Sequence, residues 1–325
     1  MIWLGVDGGT SKTEAVILSD AGILGFSRGD ASNHQGVGLD QAVQTIIAVI
    51  ESALADAGIK LDQVSRAVLG LAGADFPEDI DQLQSGLAPY FQRVPYAVVN
   101  DAEVALAAGT ENSYGIVAVA GTGTNVFGRN VEGRALHVGG LGYEYGDYGS
   151  GIDLVREVLH SAFRSAEMRG PKTQLEPMVL STLGQPDYSS LSRALYFHQI
   201  PPLVLIVLAP LCFQAAQNGD GVAITILQNL GQALGESVIG CARRLEMLDI
   251  DADVVLAGSL WLGRAPHMHD RFRETLSTSW PQARIRVTEL KPVVGAALMA
   301  SQAGPVHAQR IREICRTDPR LKGIE

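Results

Sequence analysis

The chain has 325 residues, of which 46% are hydrophobic and 18% charged, and its formal net charge is -10. This length and composition are those of a globular protein with room for two domains. The acidic balance, without a basic stripe, argues against a nucleic-acid partner, because phosphate backbones are bound by clustered lysine and arginine. The longest apolar run, residues 203–213, contains Pro210 and is too short to cross a bilayer.

The start of the chain reads as a strand with an early aspartate and has no basic region typical of a signal peptide. Three cysteines, Cys212, Cys241 and Cys315, lie far apart and have no metal-binding spacing. Free thiols of this kind are typical of a reducing compartment. We therefore expect a cytoplasmic protein without a membrane partner, whose ligand is a small molecule.

Two segments share one layout, in which an apolar strand is followed by a Gly/Thr turn and a second strand. In the first, residues 2–7 lead into the first Gly/Thr loop, Asp7-Gly8-Gly9-Thr10-Ser11-Lys12-Thr13. In the second, residues 115–120 lead into the second Gly/Thr loop, Gly121-Thr122-Gly123-Thr124. Glycine lets backbone N–H groups approach an anion closely, and the hydroxyls add donors. The pair predicts a phosphate site, although Gly/Thr turns can also simply close tight hairpins.

The first loop differs from the second because it begins with an acid. A carboxylate is a poor neighbour for phosphate unless a divalent cation lies between them, and hard oxygen ligands suit Mg²⁺. Asp7 is therefore the predicted metal residue. Lys12 has two open assignments, phosphate contact or an ordinary solvated strand residue.

The remaining pattern of the first half predicts strands at 14–19 and 23–28, a helix at 39–57 and a buried strand at 64–73. A helix at 78–88, a strand at 96–99 and a helix at 102–108 follow. In the second half we predict helices at 152–168, 175–183, 189–197, 201–217, 221–247 and 267–278, and strands at 253–259 and 284–289. A small-residue helix at 292–303 comes next, and the charged residues after it are expected to pack loosely. This order predicts an α/β fold with mixed sheets and crossover helices.

The ordered motifs resemble the BadF/BadG/BcrA/BcrD ATPase family within the actin-like ATPase and sugar kinase superfamily, and in particular its N-acetylglucosamine kinase-like members. The resemblance covers about residues 1–303. It depends on the first Gly/Thr loop, Asn33, Asn100-Asp101-Ala102, the second Gly/Thr loop, the glycine-rich segment 139–151, the strand and turn at 254–259, and the closing Gly-Ala helix. It implies two actin-like (ribonuclease H-like) lobes, residues 1–112 and 113–325, with a nucleotide cleft between them and the 292–303 helix packing back on the first lobe.

The resemblance also implies roles for individual residues. Asp101 matches the catalytic base that takes the proton of a sugar hydroxyl, although an aspartate there could also be an N-cap for the helix at 102–108. Asn33 and Asp147 match positions that contact the sugar, with a simple turn as the alternative for Asn33. ATP and Mg²⁺ are the implied cofactors. The implied nucleotide-binding residues are Gly8, Gly9, Thr10, Ser11, Lys12, Gly121, Thr122, Gly123, Thr124, Gly258 and Ser259.

Two departures from the amino-sugar kinase pattern leave the identity of the sugar open. Leu141 stands where those kinases have tryptophan, and Tyr148 stands where they have glutamate after the aspartate. Tyr143, Tyr145 and Tyr148 could supply hydroxyls and stacking faces or could be core aromatics. The iron–sulfur branch of the family is rejected, since no closely spaced cysteine pair follows the glycine-rich segment.

The sequence therefore predicts an ATP-dependent kinase acting on an amino sugar, N-acetylglucosamine or glucosamine. Two alternatives remain open: a kinase of another sugar such as N-acetylmuramic acid, and an actin-like ATP-binding regulator without a sugar acceptor. Homodimers are common among such kinases, and the sequence identifies no interface.

Overall fold

The computed structural model describes residues 1–323 and contains two five-stranded mixed sheets. The first sheet has the order β3-β2-β1-β4-β5, in which β1, β2 and β3 pair antiparallel and β1, β4 and β5 pair parallel. Its strands are β1 (Ile2–Gly8), β2 (Thr13–Ser19), β3 (Gly22–Gly29), β4 (Arg66–Leu71) and β5 (Tyr96–Asn100).

The second sheet repeats this plan with the order β10-β9-β6-β7-β8. The hairpin of β6 and β7 continues into β8, while β9 and β10 lie parallel to β6 on its other side. Its strands are β6 (Gly115–Ala120), β7 (Thr124–Arg129), β8 (Ala135–Val138), β9 (Ala252–Ala257) and β10 (Ala283–Val287). The shared plan explains why the two Gly/Thr loops have the same sequence layout, since each closes the first hairpin of its sheet.

Helices cover both faces of each sheet. In the first half they are α1 (His34–Val37), α2 (Leu39–Ala57), α3 (Pro77–Leu87) and α4 (Asp101–Gly109). In the second half they are α5 (Gly151–Ala166), α6 (Leu175–Leu183), α7 (Tyr188–Tyr196), α8 (Ala209–Gln217), α9 (Gly221–Arg244), α10 (His267–Ser279), α11 (Pro292–Ser301) and α12 (Pro305–Thr317). The single helix predicted at 201–217 is a 3₁₀ segment over Pro202–Leu208 followed by α8. Prolines here lack the N–H that a continuous α-helix needs.

Helices α4 and α11 lie between the two sheets. The helix α11 packs on β1 and α4, and its one glycine, Gly295, allows the contact with α4 because a Cβ there would collide with the carbonyl oxygen of Val104. On its other side, α4 packs against the second sheet through Ala105 and Leu106, which join Val117 and Phe127 in one buried cluster. Asp101 therefore begins a helix that contacts both halves of the molecule.

The C-terminal segment does not pack loosely as expected. It forms α12, whose Ile311 and Cys315 are buried. The buried Arg312 guanidinium donates hydrogen bonds of 2.5 to 2.6 Å to the carbonyl oxygens of Ala107, Ala108 and Thr110 at the C-terminal end of α4. Those carbonyls have no partner within α4, so a cation from elsewhere in the chain satisfies them. The expectation of loose packing was wrong, because a largely charged segment forms a helix with a buried face.

None of the helices formed by residues 1–323 has both the length and the apolar content to cross a membrane.

Candidate active site

A cavity of about 580 Å³ lies where the carboxyl ends of the central strands of both sheets meet. Most of the residues predicted for the site line it, namely Asp7, Gly9, Thr10, Ser11, Lys12, Asn33, Asp101, Gly121, Thr122, Gly123, Thr124, Gly258 and Ser259. Gly8 does not line it. The Cβ position of Gly8 points toward Ser32 and Leu71 in the protein interior. Asp147 does not line it either. The fold thus brings together residues separated by more than two hundred positions.

The two Gly/Thr loops face each other across this cavity. The hydroxyl oxygens of Ser11 and Thr122 lie 3.2 Å apart and form a hydrogen bond between the two halves of the chain. Each loop is a tight turn, closed by a bond of 2.8 Å from the Gly9 amide to the carbonyl oxygen of Lys12 and one of 2.9 Å from the Gly121 amide to that of Gly123. Backbone amides and hydroxyls therefore line the cavity from both sides.

The glycines of the second loop are not explained by packing. A Cβ at Gly121 or Gly123 would meet no atom within 4 Å, and neither residue has the positive φ that favours glycine. By contrast, Gly258 has a φ of 102°, and a Cβ there would collide with the backbone of Ala120. Gly258 is therefore required by the fold. The open space at Gly121 and Gly123 fits a ligand that approaches the backbone closely.

Asp101 is not the N-cap of α4. The cap is Asn100, whose Oδ1 accepts a hydrogen bond of 2.9 Å from the Ala102 amide. Asp101 is the first residue of the helix, and its carboxyl group lines the cavity. Burial and the nearby Asp75 carboxylate raise the pKa of Asp101 to about 6, against smaller lowering contributions from backbone amides. A carboxylate with this pKa is a better proton acceptor than an ordinary aspartate and is still ionised at neutral pH.

Asp7 lies in a group of acids at the carboxyl end of β1. Burial, together with the carboxylates of Asp101 and Glu14, raises the pKa of Asp7 to about 7, while Lys12 and Lys291 lower it. A divalent cation beside Asp7 would favour its ionised form. Across residues 1–323 no group of three or more His, Cys, Asp and Glu side chains is arranged to hold a metal ion. Asp7 would be a single hard oxygen ligand, and Mg²⁺ is a cation that takes few protein ligands and keeps water and phosphate oxygens.

Asn33 combines a turn role with a position in the cavity. Its Oδ1 caps α1 by accepting a bond of 3.0 Å from the Gln35 amide, and its Nδ2 donates to the Thr10 hydroxyl at 3.2 Å. The side chain is thereby fixed next to the first Gly/Thr loop. Its contact with a sugar stays a prediction.

Asp147 organises the glycine-rich segment. Its Oδ2 accepts hydrogen bonds of 2.8 Å and 2.7 Å from the amides of Leu141 and Gly142. Tyr143 and Tyr145 are exposed, whereas Tyr148 packs against the core of the second half. The sugar contact proposed for Asp147 stays a prediction, and in this conformation its carboxylate serves the backbone of its own loop.

Sequence reasoning missed several polar residues of the cavity, namely Gln35, Asp75, Asn125 and Lys291. Asp75 follows a glycine turn at the end of a buried strand, and this signal could have identified it. Its carboxylate accepts a bond of 2.9 Å from Asn100, and burial is the largest cause that raises its pKa. Asn125 belongs to the second half and donates to Asn100 Oδ1 at 3.1 Å. Lys291 gives no local signal, because only the packing of α11 brings it to the cavity.

A second cavity of about 500 Å³ adjoins the first. The two share Gly121, Thr122, Ser259 and Leu262. The remaining lining is mainly apolar and comes from the start of α5, the 3₁₀ segment, α8 and the turn after β9, namely Gly151, Ile206, Ala209, Pro210, Phe213, Gln214, Gln217, Leu260, Gly263 and Arg264. The site as a whole therefore has a polar part between the Gly/Thr loops and an apolar part beside it.

Two mixed sheets of matching plan, with a polar cavity between them lined by paired Gly/Thr loops, define the actin-like class of proteins that the sequence predicted. The sequence model of the BadF/BadG/BcrA/BcrD ATPase family matches residues 4–300. The chain belongs to this family, and the predicted family and fold class are confirmed.

Two characterised relatives have similar lengths. The N-acetylmuramic acid/N-acetylglucosamine kinase of Clostridium acetobutylicum is 30% identical over 299 residues, covering 91% of this chain and 97% of that protein. The N-acetyl-D-glucosamine kinase of Dictyostelium discoideum is 28% identical over 310 residues, covering 92% of this chain and 97% of that protein. Both names agree with the amino-sugar kinase function predicted from the sequence.

Solved structures share the fold. A Chromobacterium violaceum protein assigned as an N-acetylglucosamine kinase matches with a TM-score of 0.70 and 22% identity, covering 92% of this chain and 98% of that one. A glucokinase of the ROK family from Streptomyces griseus, in complex with glucose and AMPPNP, matches with a TM-score of 0.59 and 19% identity, covering 93% and 100%. At these identities the likeness supports the fold alone.

Proposed function

We propose that this chain is an ATP-dependent kinase that transfers the γ-phosphoryl group to a hydroxyl of an amino sugar. The observation that carries the proposal is the single cavity in which two facing Gly/Thr loops meet the carboxyl group of Asp101. The loops supply donors for phosphate, and Asp101 supplies a base for the acceptor.

The nucleotide fits the two adjoining cavities. The phosphates lie between the loops, where Thr10, Ser11 and Thr122 offer hydroxyls and the open space at Gly121 and Gly123 admits close approach. The base and ribose lie in the apolar cavity, which begins at Ser259. Apolar walls with a few polar groups are the usual lining for such a ligand.

Mg²⁺ would be held beside Asp7, partly through water, and when bound it supplies positive charge that neutralises the β- and γ-phosphates. Burial and then the Asp101 carboxylate raise the pKa of Asp7, and a cation beside the two carboxylates would offset their repulsion. Asp7 is the one protein ligand that we assign to it.

The sugar lies on the side of the cavity formed by Asn33, Asp75, Asp101 and Asn125. Amide and carboxylate groups of this kind bond sugar hydroxyls directionally, and Asp147 becomes a further contact if its loop rearranges around the sugar. The names of the two relatives support N-acetylglucosamine as the first candidate and N-acetylmuramic acid as the second. Glucosamine is a further candidate from the sequence pattern.

In the reaction, Asp101 orients the acceptor hydroxyl and accepts its proton as the oxygen attacks the γ-phosphorus. The bond from that phosphorus to the β,γ-bridging oxygen breaks, and ADP leaves. Backbone amides and hydroxyls of both loops stabilise the charge that develops on the transferring group. We further propose that the halves divided near residue 112 close on the substrates and exclude water, so that the hydroxyl is the acceptor.

A coupled assay of ADP release tests the proposal on N-acetylglucosamine, glucosamine, N-acetylmuramic acid, N-acetylmannosamine and glucose. Sugar-dependent ADP release from the wild-type protein, lost in Asp101→Asn with ATP binding retained, is the expected result. ATP binding without turnover on any of these sugars would contradict it and favour an ATP-binding regulator.

A further inference from the structure

Glu14 is a buried charge that the proposed reaction does not use. It lies on β2, in register with Asp7 on β1, and its side chain is fully buried. Its Oε1 lies 2.8 Å from the Lys291 ammonium, and its Oε2 lies 3.1 Å from the Lys12 ammonium. One carboxylate therefore forms ion pairs with two lysines that are 279 positions apart in the sequence.

The buried ion pairs of Glu14 are not explained by folding stability alone. Taking charges out of water has a penalty that ion pairs rarely exceed, and apolar side chains would fill the same space. The three charges together leave one net positive charge. It faces the cavity, because Lys12 and Lys291 line the cavity and remain 35% and 18% exposed.

The two ammonium groups are placed like ligands for an anion. Each lysine has three donors. Lys291 donates one of them to Glu14 Oε1, whereas Lys12 lies beside Oε2 without a hydrogen bond to it. Both ammonium groups therefore keep donors free for a ligand. Phe26 supports Lys291 further, since the ammonium lies 5.2 Å from its ring centroid. Lys291 lines the same cavity as Asp7 and the two Gly/Thr loops, which places it with the proposed phosphate donors.

We infer that Lys291 binds the polyphosphate of the nucleotide together with Lys12, and that Glu14 is a positioning residue that fixes both ammonium groups. The inference rests on the nucleotide site of the proposed function and adds to it a residue from the C-terminal part of the chain. It makes the packing of α11 on β1 part of nucleotide binding, since that packing brings Lys291 to Glu14.

Equilibrium binding of ATP, ADP and adenosine, measured by calorimetry without sugar, tests the inference. In Lys291→Met the affinity for ATP falls by about tenfold, that for ADP falls less, and that for adenosine changes by less than about twofold, because phosphates alone are contacted. Lys172→Met is the matched control. It breaks an ion pair of 3.1 Å with Glu176, neither residue of which lines the two cavities, and should leave all three affinities unchanged. Lys291→Arg should retain most of the ATP affinity.

Glu14→Gln tests the positioning role, since it keeps the shape of the side chain and removes its charge. In this background the effect of Lys291→Met on ATP affinity shrinks to about threefold or less, because the lysine is no longer held in place. If Lys291→Met fails to fold, Lys291→Gln, which can still donate to Glu14, replaces it in every comparison with the same expected gradient. Thermal unfolding of each variant is recorded alongside.

An equal loss of affinity for ATP, ADP and adenosine, or no loss at all, would show that the ion pairs are only structural and overturn the inference. If the wild-type protein binds ATP but releases no ADP with any sugar, the kinase proposal is wrong. The comparison of ATP, ADP and adenosine affinities still tests the role of Lys291 in that case. Wild-type protein that binds no adenine nucleotide overturns both.

Discussion

Ser11 and Thr122 connect the two halves of the protein through hydroxyl oxygens that lie 3.2 Å apart. Each belongs to one of the two Gly/Thr loops, and both line the cavity. The bond shows that the loops are within reach of one small ligand. It also occupies donors that a phosphate group would use, so nucleotide binding should exchange this bond for bonds to phosphate.

Replacing either hydroxyl should weaken nucleotide binding with little effect on folding. Ser11→Ala and Thr122→Val are each expected to lower ATP affinity by about tenfold, since each loses a hydrogen bond to a charged group. Their free energies of unfolding should change by about 0.5 kcal/mol or less, because the Ser11–Thr122 bond is exposed. Calorimetry and chemical denaturation measure the two effects. Unchanged ATP affinity in both variants would contradict the assignment of these hydroxyls.

The glycines of the second loop and of the turn after β9 should respond in opposite ways. Gly121→Ala and Gly123→Ala place a methyl group in open space at a compatible φ, so the free energy of unfolding should stay the same or rise by up to about 1 kcal/mol. The same methyl group would obstruct phosphate, and ATP affinity should fall by about tenfold, or about 1.4 kcal/mol.

Gly258→Ala is the control for these two variants. It forces a side chain into a φ of 102° and against the Ala120 backbone, so it should destabilise the protein by about 1 to 3 kcal/mol. If Gly121→Ala and Gly123→Ala bind ATP as the wild type does, the open space has another explanation.

Asp101 should be required for turnover but not for ATP binding. Asp101→Asn keeps the shape of the side chain and removes the proton acceptor, so kcat should fall by about 10²- to 10⁴-fold. ATP affinity should change by less than about threefold, since the loss falls on the transition state. Sugar-dependent ADP release and calorimetry measure the two quantities. Near-normal kcat in Asp101→Asn would exclude Asp101 as the base.

The pH dependence of kcat/KM should reflect the raised pKa of Asp101. Asp101 accepts a proton only when it is ionised, and its pKa lies at about 6 in the folded protein. The value of kcat/KM for the sugar should therefore decrease by about tenfold per pH unit below about pH 6. A profile that stays flat down to about pH 4.5, close to the range of an ordinary aspartate, would contradict the environment described for Asp101.

Because the pKa of Asp101 is higher in the folded protein than in the unfolded chain, Asp101→Asn should have a larger free energy of unfolding than the wild type at high pH. The ordinary pKa of 3.8 applies in the unfolded chain, whereas the folded value is about 6. Below the lower value the acid is neutral in both states and has no effect. As the pH rises through this window, the unfolded chain ionises first and the wild type loses stability.

At pH 8 the variant should therefore exceed the wild type in unfolding free energy by on the order of 1 to 3 kcal/mol. At pH 4, just above the unfolded pKa, the difference should shrink to about 0.5 kcal/mol or less. Denaturant titrations at the two pH values measure it, and an equal difference at both would refute ionisation of Asp101 as its cause.

The sequence by itself determined the features that local chemistry encodes. The two Gly/Thr loops, the carboxylate of Asp101 after β5 and the small-residue helix now labelled α11 could all be predicted, because turn residues and hydrophobic periodicity act over a few positions. The matching order of these motifs was enough for the family and the fold class.

Only the tertiary structure decided which side chains share the cavity. The ion pair between Glu14 and Lys291 joins residues 277 positions apart and forms because α11 packs closely on β1. Asn100, rather than Asp101, caps α4, and this depends on side-chain geometry that composition does not encode. The apolar cavity beside the loops likewise arises from distant segments brought together by burial. Local patterns fix the elements, and the packing between them fixes the site.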